Sequence, residues 1–312
     1  MHVKTYLKGT FIYKLYRNMR YLYVEKFPIK YTKMKYKKYY GAKLNLKNPT
    51  LLSEKIQYLK LFVYPTSAKV IKAADKYTVH NYLNSKGLSS YSVPYIGIYN
   101  ENQEIDLNSL PNSFVLKKTN ASGLNLIVKN KKDITQKDLN KITHRWLKFD
   151  YGKSGGEFHY SASKSRIICE KFFNLGDEYR FFMVQGRLAF VQVIVWDWDL
   201  DESGMQSGNT TVIDGHKKHY RFHFDTEDNL ILKDNYSDDY SFKKPVYWKE
   251  LIRVSEDIGK DFPVVRVDFN DIEGIPKITE LTFTPANGFL EILRQKPDLN
   301  EELGKWLKRL EV

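Results

Sequence analysis

Two carboxylates and a guanidinium occur close together near the C-terminal end of the sequence. The segment VRVDFNDIEGIPKITELTF (265–283) places apolar and polar residues in alternation on both sides of a turn rich in Asn, Asp, Gly and Pro, which predicts a β-hairpin. Alternation puts Arg266 and Asp268 on one strand face and Glu280 on a face of the partner strand. Buried like charges need a cation between them, and carboxylate oxygens suit Mg²⁺ carried by nucleotide phosphates. An ion pair on a solvent-exposed face is the alternative explanation.

A lysine near the end of an apolar run precedes a loop of small residues in FVLKKTNASG (114–123). Lys117 would supply an ammonium group and the loop would present backbone N–H groups, a combination suited to phosphate. The loop does not match a Walker-type motif. An ordinary β-turn beside a solvated lysine pair has the same composition, so both interpretations stay open on the residues alone.

Charged residues also interrupt two apolar runs in RIICEKFFNLGDEYRFF (166–182). Glu170, with Lys171 and the aromatic residues beside it, fits a slot in which a purine stacks on apolar walls and pairs with backbone groups. Glu178, at the start of the next strand, is placed to accept hydrogen bonds from ribose hydroxyls. An edge strand with outward-facing charges is the alternative interpretation.

The elements that must position these residues follow from the spacing of apolar side chains. A helix is predicted after Pro49 from four apolar residues at helical spacing: Leu52, Ile56, Leu59 and Phe62. A second predicted helix, AADKYTVHNYLNSKG (73–87), ends in a glycine suited to a left-handed cap. A strand with a proline near its start follows in YSVPYIGIY (91–99).

Further along the chain, helices are predicted over 137–149, over 248–260 and at the C-terminus, with a glycine-rich loop at YGKSGGEFHY (151–160). Strands separate these elements, and helices and strands do not alternate regularly. This arrangement favours an α+β fold with mostly antiparallel sheets.

Composition limits the classes of function. A chain of 312 residues with 42% hydrophobic residues can form several domains around a buried core. A formal charge of +13 and a pI of about 9.3 predict a negatively charged partner. Cys169, the only cysteine, excludes an internal disulfide and a cysteine-built zinc site and favours a reducing compartment. The sequence has no run of about 18 apolar residues and no signal-peptide core, so a cytoplasmic location is expected.

The first forty residues interleave lysines and arginines with apolar residues, several of them at helical spacing. This pattern predicts a basic amphipathic helix that lies on an anionic membrane surface. The alternative is a helix that packs on the core and leaves its basic face in solvent.

Four groups of residues, in this order and at these separations, resemble the ATP-grasp fold. They are AADKYTVHNYL with a following VP, FVLKKTNASGLNLIV, RIICEKFF with DEYRFF, and VRVDF with ELTFTPANGF. The resemblance is closest to the TupA-like family, which is associated with teichuronopeptide and bacterial surface-polysaccharide biosynthesis. It covers roughly residues 45–290 and implies two α+β domains that grip ATP.

The resemblance implies a division into four units. A basic helical extension would occupy 1–45, a helical and α/β N-terminal domain 46–110, the lid domain 111–172, and the catalytic domain 173–312.

The resemblance also implies ATP and Mg²⁺ as cofactors and assigns roles to individual residues. Lys117 and Arg266 would act in catalysis, with Arg266 near the γ-phosphate and the developing oxyanion. Asp268 and Glu280 would bind Mg²⁺. The residues implied to contact ATP are Lys76, Lys117, Asn120, Ser122, Gly123, Glu170, Lys171, Phe172 and Glu178.

The sequence departs from the family pattern at two places. The phosphate loop commonly reads His-Gly-Ser-Gly in this family, whereas this chain has Asn120-Ala121-Ser122-Gly123, and the loss of a glycine narrows the permitted backbone angles. Many ATP-grasp enzymes have an Asn where Thr282 stands, so a second Mg²⁺ would be held more weakly or by another group such as Asn287.

The reaction implied by the resemblance is ligation through an acyl phosphate. It would join the carboxylate of a sugar uronic acid, on a nucleotide or lipid carrier, to an amino acid or another amine at the inner membrane face. Long loops rich in aromatic and charged residues predict where the glycan binds, although a mobile surface loop has the same composition. The candidate substrate residues are Trp196, Trp198, His216, Lys217 and Asn287.

Two other functions stay open. The same fold supports phosphoryl transfer to a hydroxyl group of a glycan or another acceptor. A non-enzymatic protein that binds polyanions or membranes is a third interpretation, for which the basic N-terminal segment is the evidence. No RNP or helix-turn-helix signature occurs, so nucleic acid is the least favoured partner.

Overall fold

The computed structural model describes residues 11–199, 206–207, 210–213, 216–233 and 242–312. Helices and strands are mixed without regular alternation, which confirms the α+β class. The α-helices are Phe11–Lys26, Pro28–Tyr40, Leu52–Tyr58, Ala68–Ala74, Val79–Ser85, Gln136–Leu147, Gly152–Gly155, Phe158–Ser161, Trp248–Gly259, Glu291–Gln295 and Pro297–Trp306. The strands are β1 (Tyr95–Asn100), β2 (Phe114–Lys118), β3 (Asn125–Val128), β4 (Arg166–Lys171), β5 (Leu175–Val184), β6 (Arg187–Asp199), β7 (Gln206–Ser207), β8 (Thr210–Ile213), β9 (His216–Phe224), β10 (Leu230–Lys233), β11 (Val264–Ile272) and β12 (Ile275–Thr282).

Sheet A contains the predicted hairpin and has the strand order β10-β9-β6-β5-β11-β12, with every neighbouring pair antiparallel. The helix Trp248–Gly259 covers one face, where Trp248 contacts the rings of Tyr179 and Phe181. Because side chains alternate along a strand, Arg180 and Phe182 lie on the opposite face. That face is the one available to a ligand.

Sheet B has the order β1-β4-β2-β3-β8-β7, in which only the β3–β8 pair is parallel among the described strands. The helix Gln136–Leu147 packs on it through Leu139 and Trp146, in a core with Phe114 and Leu116. Strand β1 pairs with β4, so a segment from the predicted 46–110 unit belongs to the same sheet as the predicted lid. The four-unit division stays a prediction.

The helix Leu52–Tyr58 continues into a π-helical turn, Leu59–Val63, in which the Tyr64 N–H donates to the Leu59 carbonyl. The wider turn changes which side chains face the core. Phe62 is 44% exposed although its spacing places it on the buried face, whereas Tyr64, five residues after Leu59, is fully buried.

Two local predictions are wrong. The predicted helix over 73–87 is interrupted, because the Asp75 carboxylate accepts hydrogen bonds from the N–H groups of Tyr77 and Thr78 and so starts a new turn. The glycine-rich segment 151–160 is not a plain loop, since it contains two single-turn helices.

The N-terminal helices bend at Pro28 and pack differently on the body. Pro28–Tyr40 buries Tyr31 and Tyr36, and the Tyr36 hydroxyl hydrogen-bonds Ser53 at 2.8 Å. Phe11–Lys26 is anchored near its C-terminal end by the buried Val24 and by the Glu25–Lys153 ion pair. Residues 15–19 of that helix have exposed side chains.

Candidate functional site

Two cavities open on the free face of sheet A. The first, which we call the intersheet cavity, has a volume of about 620 Å³ and lies between strands of both sheets. The second, the adjoining cavity, measures about 1130 Å³ and extends across sheet A to β10. Ser122 and Arg180 line both cavities, so the two volumes meet at these residues.

The hairpin places the predicted metal residues side by side. Asp268 is directly opposite Glu280 in the β11–β12 register, and Arg266 is opposite Thr282. The Arg266 guanidinium donates to both oxygens of Asp268 at 2.6 Å and to Thr282 at 3.2 Å. Burial raises the pKa of the Asp268 carboxyl although Arg266 opposes the rise. The ionised carboxylate would therefore be stabilised by further positive charge.

The donor set of the hairpin fits a hard cation. Asp268, Glu280 and Asn270 line the intersheet cavity with side-chain oxygens, the ligand type that Mg²⁺ prefers. No group of three or more His, Cys, Asp or Glu side chains forms a metal cage anywhere in the described part of the chain. Such a site suits an ion that receives its remaining ligands from phosphate and water, which is how Mg²⁺ is usually held with nucleotides.

Two lysines approach the same cavity from different elements. Lys117 on β2 pairs with Glu170 on β4 at 2.5 Å. Lys76 follows the interruption at Asp75, and its ammonium donates to the Ala121 carbonyl at 2.6 Å and lies 3.4 Å from Glu280. Each lysine is therefore paired with a carboxylate that lines the cavity, so the cationic groups are held in position before any anion arrives.

The phosphate-loop residues divide into two groups. Ser122 and Gly123 line the intersheet cavity, and Gly123 has a left-handed backbone, with φ of 71°. Asn120 points away from the cavity, since its amide donates to the carbonyls of Tyr160 and Ser163, both at 3.0 Å. Asn120 thus anchors the loop to the segment 151–163.

The predicted adenine and ribose residues line the same cavity. Glu170, Lys171, Phe172 and Glu178 all border the intersheet cavity. Arg180 donates to both Glu178 oxygens, at 2.8 and 3.0 Å. The structure therefore brings every predicted ATP or metal residue except Asn120 and Arg266 to the wall of one cavity, and it places Arg266 against the adjoining cavity.

A polar row crosses the free face of sheet A from one cavity to the other. Arg180 lies opposite Asp268 on one side and Gln192 on the other, and Gln192 lies opposite His223. Arg180 donates to the side-chain oxygen of Gln192 at 3.0 Å. The side-chain nitrogen of Gln192 contacts the His223 ring at 2.7 Å. Burial lowers the pKa of His223 to about 4, so the ring is neutral at physiological pH.

A buried cluster that the sequence analysis missed borders the adjoining cavity. Lys60 donates to the Asn287 side-chain oxygen at 2.6 Å. The Asn287 amide donates to Glu157 at 2.9 Å, and the Thr284 hydroxyl donates to the other Glu157 oxygen at 2.5 Å. The structure therefore places Asn287 at the adjoining cavity, between an ammonium and a carboxylate.

The turn that carries Asn287 has an unusual backbone. Ala286, Asn287 and Gly288 have φ values of 50°, 59° and 78°, and such a run is uncommon for residues with side chains. Contacts from Lys60, Glu157 and Gln57 hold it in place. The Gly-Gly-Glu sequence at 155–157 is a sequence feature that points to this cluster. Position 155 requires glycine, because a Cβ there would overlap the Asn287 amide.

The remaining predicted substrate residues lie at the edge of what the structure describes. The backbones of β6 and β9 pair Trp196 with His219 and Trp198 with Lys217, and Asp199 with His216. The side chains of Trp196, Trp198, His216 and Lys217 lie outside the described residues. Their predicted contact with substrate stays a prediction.

Comparison with known proteins gives a family match over most of the chain. The model of the family described as TupA-like ATPgrasp matches residues 54–198 and 204–308. A search of curated proteins gives no match. Among the helices in the described ranges, none has both the length and the apolar composition needed to cross a membrane.

Solved structures similar to this chain include two ligases. D-alanine–D-alanine ligase from Bacillus anthracis is 16% identical with a TM-score of 0.42, over 81% of this chain and 67% of that one. L-amino acid ligase from Bacillus licheniformis is 13% identical with a TM-score of 0.46, over 78% of this chain and 52% of that one.

Proposed function

Because the chain belongs to the TupA-like ATP-grasp family, whose ligase-type enzymes use ATP with Mg²⁺, we propose that it joins the carboxylate of a sugar uronic acid to an amino acid or another amine. The acceptor would belong to a capsule or related surface glycan and would be carried by a nucleotide or a lipid. One observation carries the proposal: Asp268 and Glu280 lie in register in a cavity that Lys76 and Lys117 also enter.

In this proposal the nucleotide occupies the intersheet cavity. Lys76 and Lys117 bind its phosphates, and the Ser122–Gly123 turn donates backbone N–H groups. Glu170, Lys171 and Phe172 surround the base, and Glu178 accepts from the ribose. Asn120 acts through the loop that it anchors and does not touch the nucleotide.

The metal would be held by Asp268 and Glu280, with Asn270 beside them. When bound, Mg²⁺ neutralises charge on the phosphates. The chain's own contribution is positioning, because Arg266 fixes the Asp268 carboxylate and Lys76 fixes Glu280. A preorganised set of charges of this kind stabilises developing negative charge without further rearrangement.

The acid substrate would occupy the adjoining cavity next to Arg266. Arg266 lines that cavity while its partner Asp268 lines the intersheet cavity, so the pair lies in the wall between the two ligands. The volume of about 1130 Å³ exceeds the range of roughly 300–1000 Å³ typical of small-molecule sites. This size favours a sugar acid and an amine together over a single free amino acid.

Calorimetric titration of ATP with Mg²⁺ tests the nucleotide site. We expect micromolar binding to the unsubstituted chain and a loss of at least about 10²-fold in the double variant Asp268→Asn with Glu280→Gln. Glu273→Gln, on the exposed turn of the same hairpin, is the matched control and should bind as the unsubstituted chain does. Absence of binding to the unsubstituted chain would contradict the proposal.

Product analysis tests the reaction. A ligase requires an amine and releases ADP, phosphate and an amide. Formation of ADP and a phosphorylated glycan without any amine would instead identify a phosphotransferase on the same fold. Binding of polyanions with no ATP consumption would favour the non-enzymatic interpretation, and such binding would weaken steeply with added salt.

We also propose that the helix Phe11–Lys26 binds an anionic membrane surface at the inner membrane face. Leu15, Met19 and Leu22 lie at positions i, i+4 and i+7 on one helix face and are 51%, 62% and 58% exposed. Arg17 and Lys26 are exposed on the same helix. An exposed apolar stripe on a helix that also carries exposed basic side chains fits insertion at the lipid headgroup level.

Sedimentation with vesicles containing phosphatidylglycerol tests this contact. Changing Leu15, Met19 and Leu22 to Glu should abolish sedimentation while ATP binding persists. Changing three exposed apolar residues elsewhere, Ile96, Val246 and Ile275, to Glu is the matched control. Removal of residues 1–40 is a poorer test, because Tyr31 and Tyr36 pack into the body. Unchanged sedimentation of the first triple variant would contradict the proposal.

A further inference from the structure

The cluster of Lys60, Asn287, Glu157 and Thr284 lies outside the groups assigned to the nucleotide, the metal and the acid. Glu157 and Asn287 line the adjoining cavity, whereas Lys60 lies behind them and is 1% exposed. This hydrogen-bonded cluster buries a carboxylate, an amide and an ammonium together. Each charged group loses hydration on burial, which costs free energy, so the cluster is a candidate for a functional role.

We infer that Glu157 binds the ammonium group of the amine substrate and accepts its proton, with Asn287, Thr284 and Lys60 as positioning residues. This inference rests on the ligase function proposed above. It assigns the two substrates of the adjoining cavity to different walls: the acid to Arg266 on β11, and the amine to the segment 151–163.

The hydrogen bonds of Glu157 leave room for an incoming cation. Each carboxylate oxygen carries two acceptor positions. Thr284 uses one position on one oxygen and Asn287 uses one on the other, so a second position remains on each. Because both protein partners donate, they favour the ionised form, which is the form that attracts an ammonium group.

Lys60 fixes the direction of the Asn287 amide. Its ammonium donates to the Asn287 side-chain oxygen, which turns the Asn287 NH₂ group toward Glu157. Gly155 permits this arrangement, because its carbonyl accepts a second hydrogen bond from the same NH₂ group at 3.1 Å and it has no side chain to obstruct the amide. Glu157 is thereby held in one orientation.

The short chain between two threonines keeps Glu157 close to the acid. Thr282 contacts Arg266 and Thr284 contacts Glu157. Two residues of chain span at most roughly 7 Å at about 3.3–3.6 Å per residue, so the two threonines lie within that distance. An amine bound to Glu157 is therefore close to a carboxyl group bound beside Arg266, which is the arrangement that amide formation requires.

The charged and titratable groups around Glu157 support proton acceptance. Burial raises the pKa of Glu157, and hydrogen bonds and Lys60 oppose this rise. Burial lowers the pKa of Lys60 to about 7, so above that pH the cluster is left with the negative charge of Glu157. The other groups that face Glu157 electrostatically are Glu280 on β12 and Tyr151 and Tyr160 on its own segment.

The step balances as follows. The substrate ammonium transfers one proton to Glu157, and its nitrogen lone pair forms a C–N bond to the carbonyl carbon of the acyl phosphate. The C–O bond to phosphate breaks, and the electron pair leaves with phosphate, which takes the second proton from nitrogen. Glu157 returns its proton to solvent. ATP supplies the phosphoryl group of the acyl phosphate, so no other reactant is needed.

Hydroxylamine as the nucleophile tests the proton-accepting role of Glu157 separately from the other catalytic groups. It is largely unprotonated at neutral pH, so its reaction needs no base. The assay uses the full chain, ATP, Mg²⁺, and glucuronic and galacturonic acids, both free and as their UDP derivatives. The nucleophile is either hydroxylamine or one of the twenty amino acids. Glu157→Gln is compared with Glu301→Gln, which removes a carboxylate that is paired with Lys305 and lines neither cavity.

In Glu157→Gln, we expect kcat/KM for the amino acid to fall by about 10²-fold or more, and hydroxamate formation to fall by a much smaller factor. The remaining amide formation should rise tenfold per pH unit, because only the free amine reacts. Glu301→Gln should behave as the unsubstituted chain. An equal fall of amide and hydroxamate would identify Glu157 as structural, and unchanged amide formation would exclude any role. Absence of hydroxamate with the unsubstituted chain would overturn the ligase proposal and the amine assignment with it.

Discussion

The two cavities are built from sequence in different ways. Residues around the intersheet cavity come from short motifs, and cations there pair with carboxylates on the same or a neighbouring strand, as in Arg180 with Glu178 and Lys117 with Glu170. The adjoining cavity is assembled from segments far apart in the chain. Its central cluster joins Lys60 to Glu157 through Asn287.

This difference implies that the two cavities can change independently of each other. Paired charges on neighbouring strands are fixed by sheet register, so the intersheet cavity retains its geometry when distant segments change. The adjoining cavity depends on the packing of the N-terminal helices, the segment 151–163 and the turn after β12. Substrate choice can therefore change there while nucleotide chemistry persists, and variants that affect one cavity alone test this separation.

Arg180 borders both cavities, so its removal should have the largest effect. Arg180→Met leaves Glu178 without its bidentate partner and Gln192 without its donor. We expect kcat/KM to fall by about 10³-fold for ATP and for the acid substrate alike, measured from initial rates. Arg187→Met is the matched control, since Arg187 lies over the Trp306 ring and lines neither cavity. A loss confined to one substrate would contradict the shared position of Arg180.

Gln192→Leu should affect only the adjoining cavity. It removes the link between Arg180 and His223, whereas the two hydrogen bonds from Arg180 to Glu178 remain. KM for the acid should rise by about tenfold, because one oriented hydrogen bond to a charged group is worth about 1.5–3 kcal/mol. Calorimetry should give an unchanged Kd for ATP, and a parallel loss of ATP affinity would show that the cavities are not separable.

Gly155→Ala should lower the free energy of unfolding by about 1–3 kcal/mol, because the added methyl group overlaps the Asn287 amide. Urea unfolding measures this loss. Asn287→Ala removes the obstructing amide, so the double variant should be more stable than the sum of the two single losses predicts. If the two losses in free energy of unfolding simply add in the double variant, the two residues do not contact each other as described.

His159→Phe should have the smallest effect and should act through pH. His159 is buried among Tyr64, Tyr160 and Phe283, and neither ring nitrogen has a hydrogen-bond partner. Burial lowers its pKa to about 3. The unfolded chain therefore binds a proton below about pH 6.5 that the folded chain does not bind, and stability falls as pH decreases from 6.5 toward 3.

At pH 5 this cost amounts to about 2 kcal/mol at 1.36 kcal/mol per pKa unit. Urea unfolding at pH 7 and pH 5 should show that His159→Phe removes this difference. His144→Phe, on an exposed helix position, is the matched control. An unchanged pH dependence in His159→Phe would show that the ring is hydrated or paired in solution.

The parts of the molecule that sequence predicts are those fixed by local pattern. Period-two alternation and a strong turn predict the hairpin, but an uninterrupted register from the turn would place Asp268 opposite Thr279. A bulge between Asp268 and Phe269 shifts the register and sets Asp268 opposite Glu280. The pairing of β1 with β4 did not follow from the sequence, because it joins segments about seventy residues apart. The spacing of apolar residues does not predict the interruption at Asp75. There the Asp75 side chain caps the backbone and competes with the helical hydrogen bonds, and apolar spacing carries no information about such caps.

Lys60 and Glu157 could not be paired from sequence for a similar reason. Lys60 follows the buried Ile56 by one helical turn and lies on the same side of the helix, but a lysine in an amphipathic helix is ordinarily expected to reach solvent. Glu157 follows two glycines in a segment that was interpreted as a loop. Since both residues look like surface charges in their own segments, their contact exists only in the folded chain.

The π-turn at Leu59–Val63 has a consequence for insertions and deletions in this chain. A hydrogen bond from residue i+5 encloses one residue more than the α-helical bond from i+4. Deleting one residue from this turn would restore the α-helical bond from i+4, and Tyr64 would still follow Leu59 by one turn on the buried face. The turn therefore accommodates one residue beyond α-helical phase while the buried side chains before and after it keep their places.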